Sequence, residues 1–389
     1  MTIWRGVAVV IFLLVSVLLL NAGSSAWDAQ RIGKDARNFQ EIQDRFVALA
    51  KEKGAEHAFE VLRAASLPPQ TDLHLLGHTV GDELYRQKGV EGIALCSQDF
   101  RNACSHSIVI GALEEYGGEA ALPRIREACE TAPGRSGAYT MCYHGLGHGV
   151  FAFFDYDLPA TVDFCKKTGT DGHGQQEYTE CVGGAIMELV GGGGHDRSAW
   201  MKARVRYFSA NDALAPCMSD LLPDPTKTLC LIYLTPRLLE VAGARLGAPD
   251  PAFFGTASSY CEAIPQERQD WRDACFGGFG KEFVPLAGKR DIRKVDRFSD
   301  DEFRTAISWC GLIVAADGRD ACIADAVASI FWGGENDPEA SFRFCALVSD
   351  QMRGACYMRL SKDIRSYGGG RTRKLCDRLP VEYRASCSV

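Results

Sequence analysis

The chain predicts an all-α protein: an α/α solenoid of two-helix units, each stapled by a disulfide between neighbouring cysteines. Three observations lead there. The 16 cysteines fall into eight local couples, apolar residues recur at helical rather than alternating spacing, and the second members of the couples advance by roughly 30 to 50 residues, the period of helical repeats.

The couples are Cys96/Cys104, Cys129/Cys142, Cys165/Cys181, Cys217/Cys230, Cys261/Cys275, Cys310/Cys322, Cys345/Cys356 and Cys376/Cys387. A bridge across such a short loop stabilises by roughly 2–4 kcal/mol, chiefly by restricting the unfolded chain. Zinc is the competing use of so many thiols. Structural zinc sites take cysteines two to four residues apart, a spacing none of these couples has.

The amino terminus points to the same redox compartment. Arg5 precedes an apolar run from Gly6 to Leu20, interrupted only by Ser16 and followed by Asn21, Ala22, Gly23, Ser24, Ser25 and Ala26. This is the order of a cleaved signal peptide, or of an N-terminal membrane anchor if Ile3 and Trp4 extend the run. Either places the body outside the cytoplasm, periplasmic or secreted, where disulfides persist. Any membrane contact is expected only through this segment. With 43 Lys and Arg against 50 Asp and Glu, the formal charge is −7, and no basic block with interleaved aromatics suggests nucleic acid. The organisation expected is a leader over 1–26, N-terminal helices over 27–95, and one array of stapled repeats over 96–389.

Helices can be placed in order. Phe39, Ile42, Phe46 and Leu49, then Ala55, Phe59 and Leu62, predict two amphipathic helices before a break at Pro68 and Pro69. Thr71 or Asp72 caps the next, whose apolar positions are Leu73, Leu76, Val80 and Leu84 before Gly89. Thereafter a short helix is expected to end near the first cysteine of each couple and a longer one to start at the second. Examples run from Cys104 to Tyr116, stopped by Gly117 and Gly118, from Cys181 to Val190, stopped by Gly191 to Gly194, and through Tyr357 to Tyr367 before Gly368. The charged stretch Lys289 to Asp301 reads as a connection, with Ser299 and Glu302 spaced as a capping box. The outline resembles Sel1-type or tetratricopeptide arrays in shape, without their diagnostic residues.

Aligning the units on the second cysteine exposes a histidine stripe. His106 and His144 stand two positions after Cys104 and Cys142; in the preceding helix Asp72 takes the cysteine slot and His74 follows at the same offset. Four residues further on come His78 and His148, and four more bring Asp82 and Glu114. Residues four apart share a helix face. Later units carry Gly183 and Met187, Gly277 and Lys281, or Ala324 and Ala328 at these offsets, so the stripe is confined to the first three units.

Imidazoles four apart bind one metal ion from the same side, and an added carboxylate makes a set suited to iron, copper, manganese or zinc. The metal ligands expected are therefore His74, His78, His106, His144 and His148, with Asp82 or Glu114 completing the set. Neither pair reads His-Glu-x-x-His, so zinc-protease chemistry is not indicated. Helix axes pack about 8–10 Å apart. All five imidazoles can therefore meet only if the array curls tightly; a flatter array leaves His106 with one pair. The alternative reading is structural, with each histidine bonding a neighbouring backbone beside Gly145, Gly147 and Gly149.

Weaker candidates are His173 in a Gly-rich turn, His195 after four glycines, and Met187 with Glu188 on the fourth helix; His57 reads as a helix-surface residue. There is no Gly-x-Ser-x-Gly elbow, and paired cysteines leave no thiolate nucleophile.

The segment Thr71 to Tyr85, Cys104-Ser-His106, and Cys142-Tyr-His144-Gly-Leu-Gly-His148-Gly resemble blocks of a loosely defined group of exported, cysteine- and histidine-rich helical proteins without an established activity. The similarity covers about Leu62 to Val190, with Asp72 standing where that group has a cysteine. It implies a shared histidine site and is silent on the C-terminal half.

The function expected is thus an extracytoplasmic repeat protein with a transition-metal site; if it is an enzyme, it is a metal-dependent one whose reaction the sequence does not name. Two alternatives stand beside it. One is a non-catalytic scaffold gripping a peptide, envelope protein or glycan on its concave face; the other is metal storage or delivery.

Overall fold

Capping residues decide where the helices begin. The computed structural model describes residues 25–133, 135–192, 196–333 and 338–387; the leader up to residue 24 and His195 lie outside this range. The described residues are α-helical and 3-10 helical with intervening turns, and contain no strand beyond an isolated bridge between Arg245 and Ala248. None of their helices is long and apolar enough to cross a membrane.

Helices α1 (25–31), α2 (Phe39–Lys53) and α3 (Ala55–Ala64) precede the first couple. Then follow α4 (Leu73–Lys88), α5 (Asp99–Tyr116), α6 (Leu122–Thr131), α7 (Arg135–Phe153), α8 (Leu158–Lys166) and α9 (Gln176–Gly191). The next are α10 (Arg197–Tyr207), α11 (Asp224–Tyr233), α12 (Thr235–Ala242), α13 (Phe254–Ser259) and α14 (Gln269–Ala287). The last six are α15 (Asp300–Cys310), α16 (Ala316–Gly333), α17 (Glu339–Leu347), α18 (Asp350–Tyr367), α19 (Thr372–Cys376) and α20 (Val381–Cys387).

The expected caps are in place: the Asp72 carboxylate accepts from the Leu75 N–H at the start of α4, and Ser299 and Glu302 form a reciprocal capping box on α15. All eight nearest-neighbour disulfides are formed, with Cα–Cα distances of 5.5 to 5.7 Å, and no cysteine is free. That complement of bridges is consistent with an oxidising, extracytoplasmic environment.

One expectation needs correction. The longer helices begin before the second cysteine, as at Asp224, Gln269 and Asp350, ahead of Cys230, Cys275 and Cys356. The reason is local. These three helices start on polar residues, and the cysteine sits a turn or more inside, where its side chain faces the preceding short segment.

Helix α4 and the helices that carry the second cysteines pack in sequence order, α4 on α5, α5 on α7, α7 on α9, and so on through α11, α14, α16, α18 and α20. Glycines set their spacing. A Cβ on Gly147, five residues after Cys142, would lie 1.9 Å from the Cys181 carbonyl oxygen, and one on Gly280, five after Cys275, 1.9 Å from that of Cys322. A Cβ on Gly184 would meet the His144 carbonyl at 1.9 Å.

The row also bends back on itself. Helix α16 touches α5, and Arg101 donates to Ser329 Oγ at 3.3 Å. The stretch 289–301 contains a 3-10 helix, Ile292–Arg297, that packs against both α5 and α16. From it, Arg293 donates to the carbonyls of Leu62 and Ala65 at 2.9 and 2.8 Å.

Candidate metal centre

Close backbone packing draws the histidines together. A Cβ on Gly145 would lie 2.6 Å from His106 Cα, and one on Gly77 2.7 Å from Ala103 Cβ, so only glycine lets α4, α5 and α7 approach this far. The His106 ring consequently lies 5.5 Å from His74, 5.5 Å from His78, 5.7 Å from His144 and 5.8 Å from His148, centroid to centroid. The first and third stripes meet as well, His148 standing 6.4 Å from His74 and 6.1 Å from His78. All five imidazoles form one cluster.

A hydrogen bond assigns the tautomer of His74. His74 Nδ1–H donates to the Phe100 carbonyl at 2.7 Å, which leaves its Nε2 as a lone pair. The Ser107 hydroxyl donates to the His78 carbonyl at 3.0 Å and lies 3.3 Å from His78 Nδ1. His78 Nε2 lies 3.2 Å from His74 Nε2. Nitrogens held about 2.0–2.1 Å from a tetrahedral ion lie about 3.3 Å apart.

The Phe100 carbonyl is turned toward His74 by an unusual backbone. Phe100, Arg101 and Asn102 have φ of 54°, 58° and 63°, a left-handed run that costs non-glycine residues roughly 1–2 kcal/mol each. Such local strain concentrates at functional sites.

His106 extends the set: one nitrogen from each of His74, His78 and His106 lies within 4.8 Å of the others. His106 is buried and neither ring nitrogen has a protein partner. His148 Nε2 is likewise buried without one, while its Nδ1 lies 3.0 Å from Glu188 Oε2. Such nitrogens cost about 1–3 kcal/mol each when unsatisfied. A carboxylate holding the far nitrogen of an imidazole is the usual orienting partner of a metal-bound histidine. The donor set thus fits a transition ion.

Burial favours the neutral form, the one that ligates, for His74, His106 and His144. It lowers His74 to about 4, against the partly opposing effect of the Phe100 carbonyl. His106 and His144 lie well below the ordinary imidazole range, first through burial and then through their neighbours' charge.

The carboxylates at the cluster differ from those expected. Eight residues carry a helix about 80° past two whole turns, which takes Asp82 and Glu114 off the face of His74 and His106. Glu114 is exposed and Asp82 half-buried. In their place Glu188 reaches His148, and Glu180 Oε2 lies 3.3 Å from His144 Nδ1 without hydrogen-bond alignment. Burial raises the Glu180 carboxyl to about 8. Met187 closes the same side, its Sδ 3.4 Å from His144 Nε2.

Glu180 escaped sequence reasoning although a signal existed: among the second cysteines, only Cys181 is immediately preceded by a carboxylate. Tyr233 was missed too, its ring 5.0 Å from His144. His173 is exposed and stacks on Tyr139 at 4.6 Å. His57 is not a plain surface residue, since its Nε2 pairs with the buried Asp28 at 2.7 Å.

No model of a known protein family, no curated protein and no solved structure matches this chain.

Proposed function

We propose that the chain is an extracytoplasmic α-solenoid, periplasmic or secreted, whose histidine cluster binds a transition metal ion. The observation that carries this reading is the group of His74, His78 and His106, one nitrogen of each within 4.8 Å of the others, with both nitrogens of buried His106 lacking a protein partner. The repeated approach of glycines to the carbonyls of the next helix supports the solenoid.

His74, His78 and His106 would hold the ion, with His148 next to it and Glu188 orienting that ring. Iron, copper, manganese and zinc all suit imidazole with carboxylate, and the Met187 thioether tilts the set toward a softer ion. Such an ion activates bound water or oxygen as a Lewis acid or redox centre. The chain's own part is to exclude solvent, which keeps buried imidazoles neutral, and to aim the rings through the Phe100 carbonyl, Ser107 and Glu188. Met187 also favours a second reading, metal storage or delivery, which assays of turnover on the loaded protein separate from catalysis.

Elemental analysis of untagged protein from an oxidising compartment tests the proposal. Close to one equivalent of metal is expected, lost in His74→Ala and His106→Ala. Folded wild type that retains no iron, copper, manganese or zinc after incubation and desalting removes the metal reading. Binding of an envelope peptide or glycan would then point to the scaffold.

A further inference from the structure

Beyond the histidines, the inward faces of the later helices carry charges that the metal reading does not use. Arg101 follows Phe100 on the left-handed turn that fixes His74. Its guanidinium is enclosed deep in the protein, while the residue as a whole is only part-buried. Among the described residues its one hydrogen-bond partner is Ser329 Oγ, at 3.3 Å, and no carboxylate forms an ion pair with it. Ser329 in turn donates to the Lys281 carbonyl at 3.3 Å, bringing α5 and α14 to one point on α16.

Lys281 occupies the offset that His78 and His148 take in their own units. Its Nζ lies 4.7 Å from the Tyr233 ring centroid, whose other neighbour is His144 at 5.0 Å. The one carboxylate paired with Lys281 is Glu282, at 3.1 Å. Asp325, nearby on α16, pairs with Arg359, which Asp363 engages as well. Lys281 thus has its own carboxylate, while among the described residues Arg101 has none in an ion pair. Charges inside proteins are generally paired, and the Arg101 fork, held only by a hydroxyl, is open to an anionic partner. Arg presents a planar fork and Lys a point charge, the combination that receives carboxylates and phosphates.

We propose that Arg101 and Lys281 form a subsite for the oxyanion group of a small molecule, carboxylate or phosphate, whose remainder extends past Tyr233 toward the histidine cluster. The subsite deepens the metal reading by naming the class of molecule that would meet the ion, but its own existence rests on the two cations.

Calorimetric titration of the full chain with inorganic phosphate and with succinate, metal-loaded and metal-free, tests it. Saturable binding of at least one anion with a Kd in the millimolar range or tighter is expected, weakened at least tenfold in Arg101→Gln and in Lys281→Met. Phosphate alone binding assigns a phosphate ligand, succinate alone a carboxylate. If Arg101→Gln does not fold, Lys281→Met decides, because it removes the charge and keeps the length of the stem. Folded wild type that binds neither anion, or binding unchanged in the variants, overturns the subsite. Metal content measured on the same samples keeps the two readings apart: metal without anion binding defeats this inference alone, and anion binding without metal defeats only the metal reading.

Discussion

His106 is the residue on which the centre turns. It lies in the middle of five rings, fully inside, with both nitrogens lacking a protein partner. An imidazole in that state destabilises the metal-free fold and stabilises the metal-bound one. Substituting His106→Leu should raise the metal-free protein's resistance to urea by about 1 kcal/mol and abolish the extra stability that metal confers on wild type. A loss above about 2 kcal/mol in metal-free protein would mean that the ring is ordinary packing. His74 is different in kind, because the Phe100 carbonyl holds it in one tautomer whether or not an ion is bound.

At the scale of the element, glycines decide how near the helices come. Gly147 and Gly280 occupy equivalent places in α7 and α14, each facing the carbonyl of the next second cysteine at a distance no Cβ tolerates. Alanine at either should cost about 1–3 kcal/mol or more by forcing the helices apart. Only Gly147→Ala should also release metal, since α7 carries His144 and His148. Gly172→Ala, where nothing lies within 4 Å, is the control and should fall within about 0.5 kcal/mol of wild type. Equal metal loss in Gly147→Ala and Gly280→Ala would disprove the local effect. These helices were legible because their signals are local: Asp72 and Ser299 cap, and apolar residues repeat on one face. Where each long helix begins relative to its cysteine was misread, since a sulfur pattern records which side chains meet and not where backbone hydrogen bonding starts.

For the whole molecule, the buried cluster makes stability depend on pH. His74 titrates near 4 in the fold against an ordinary 6.5, so between these values the unfolded chain binds more protons and the metal-free fold loses stability as pH falls. The contribution of His74 reaches about 3 kcal/mol by pH 4. Glu180, raised to about 8 by burial, works in the opposite direction, which makes a difference measurement necessary. Metal-free His74→Gln should gain stability relative to wild type as the pH is lowered from 7 to 4.5, by urea denaturation. A difference independent of pH would show that His74 is not held neutral.

The sequence alone determined the helical class, the eight bridges and the identity of the five histidines, because each depends on residues close along the chain. It offered Asp82 and Glu114 as carboxylates, whereas those the fold sets against His144 and His148 are Glu180 and Glu188. It also left open whether three stripes converge. Only the tertiary structure decided that, through the glycine contacts that bend the row until α16 meets α5. The same bend brings Arg101 to Ser329 and Lys281, a juxtaposition set by the accumulated angles of every helix between them, which no local pattern records.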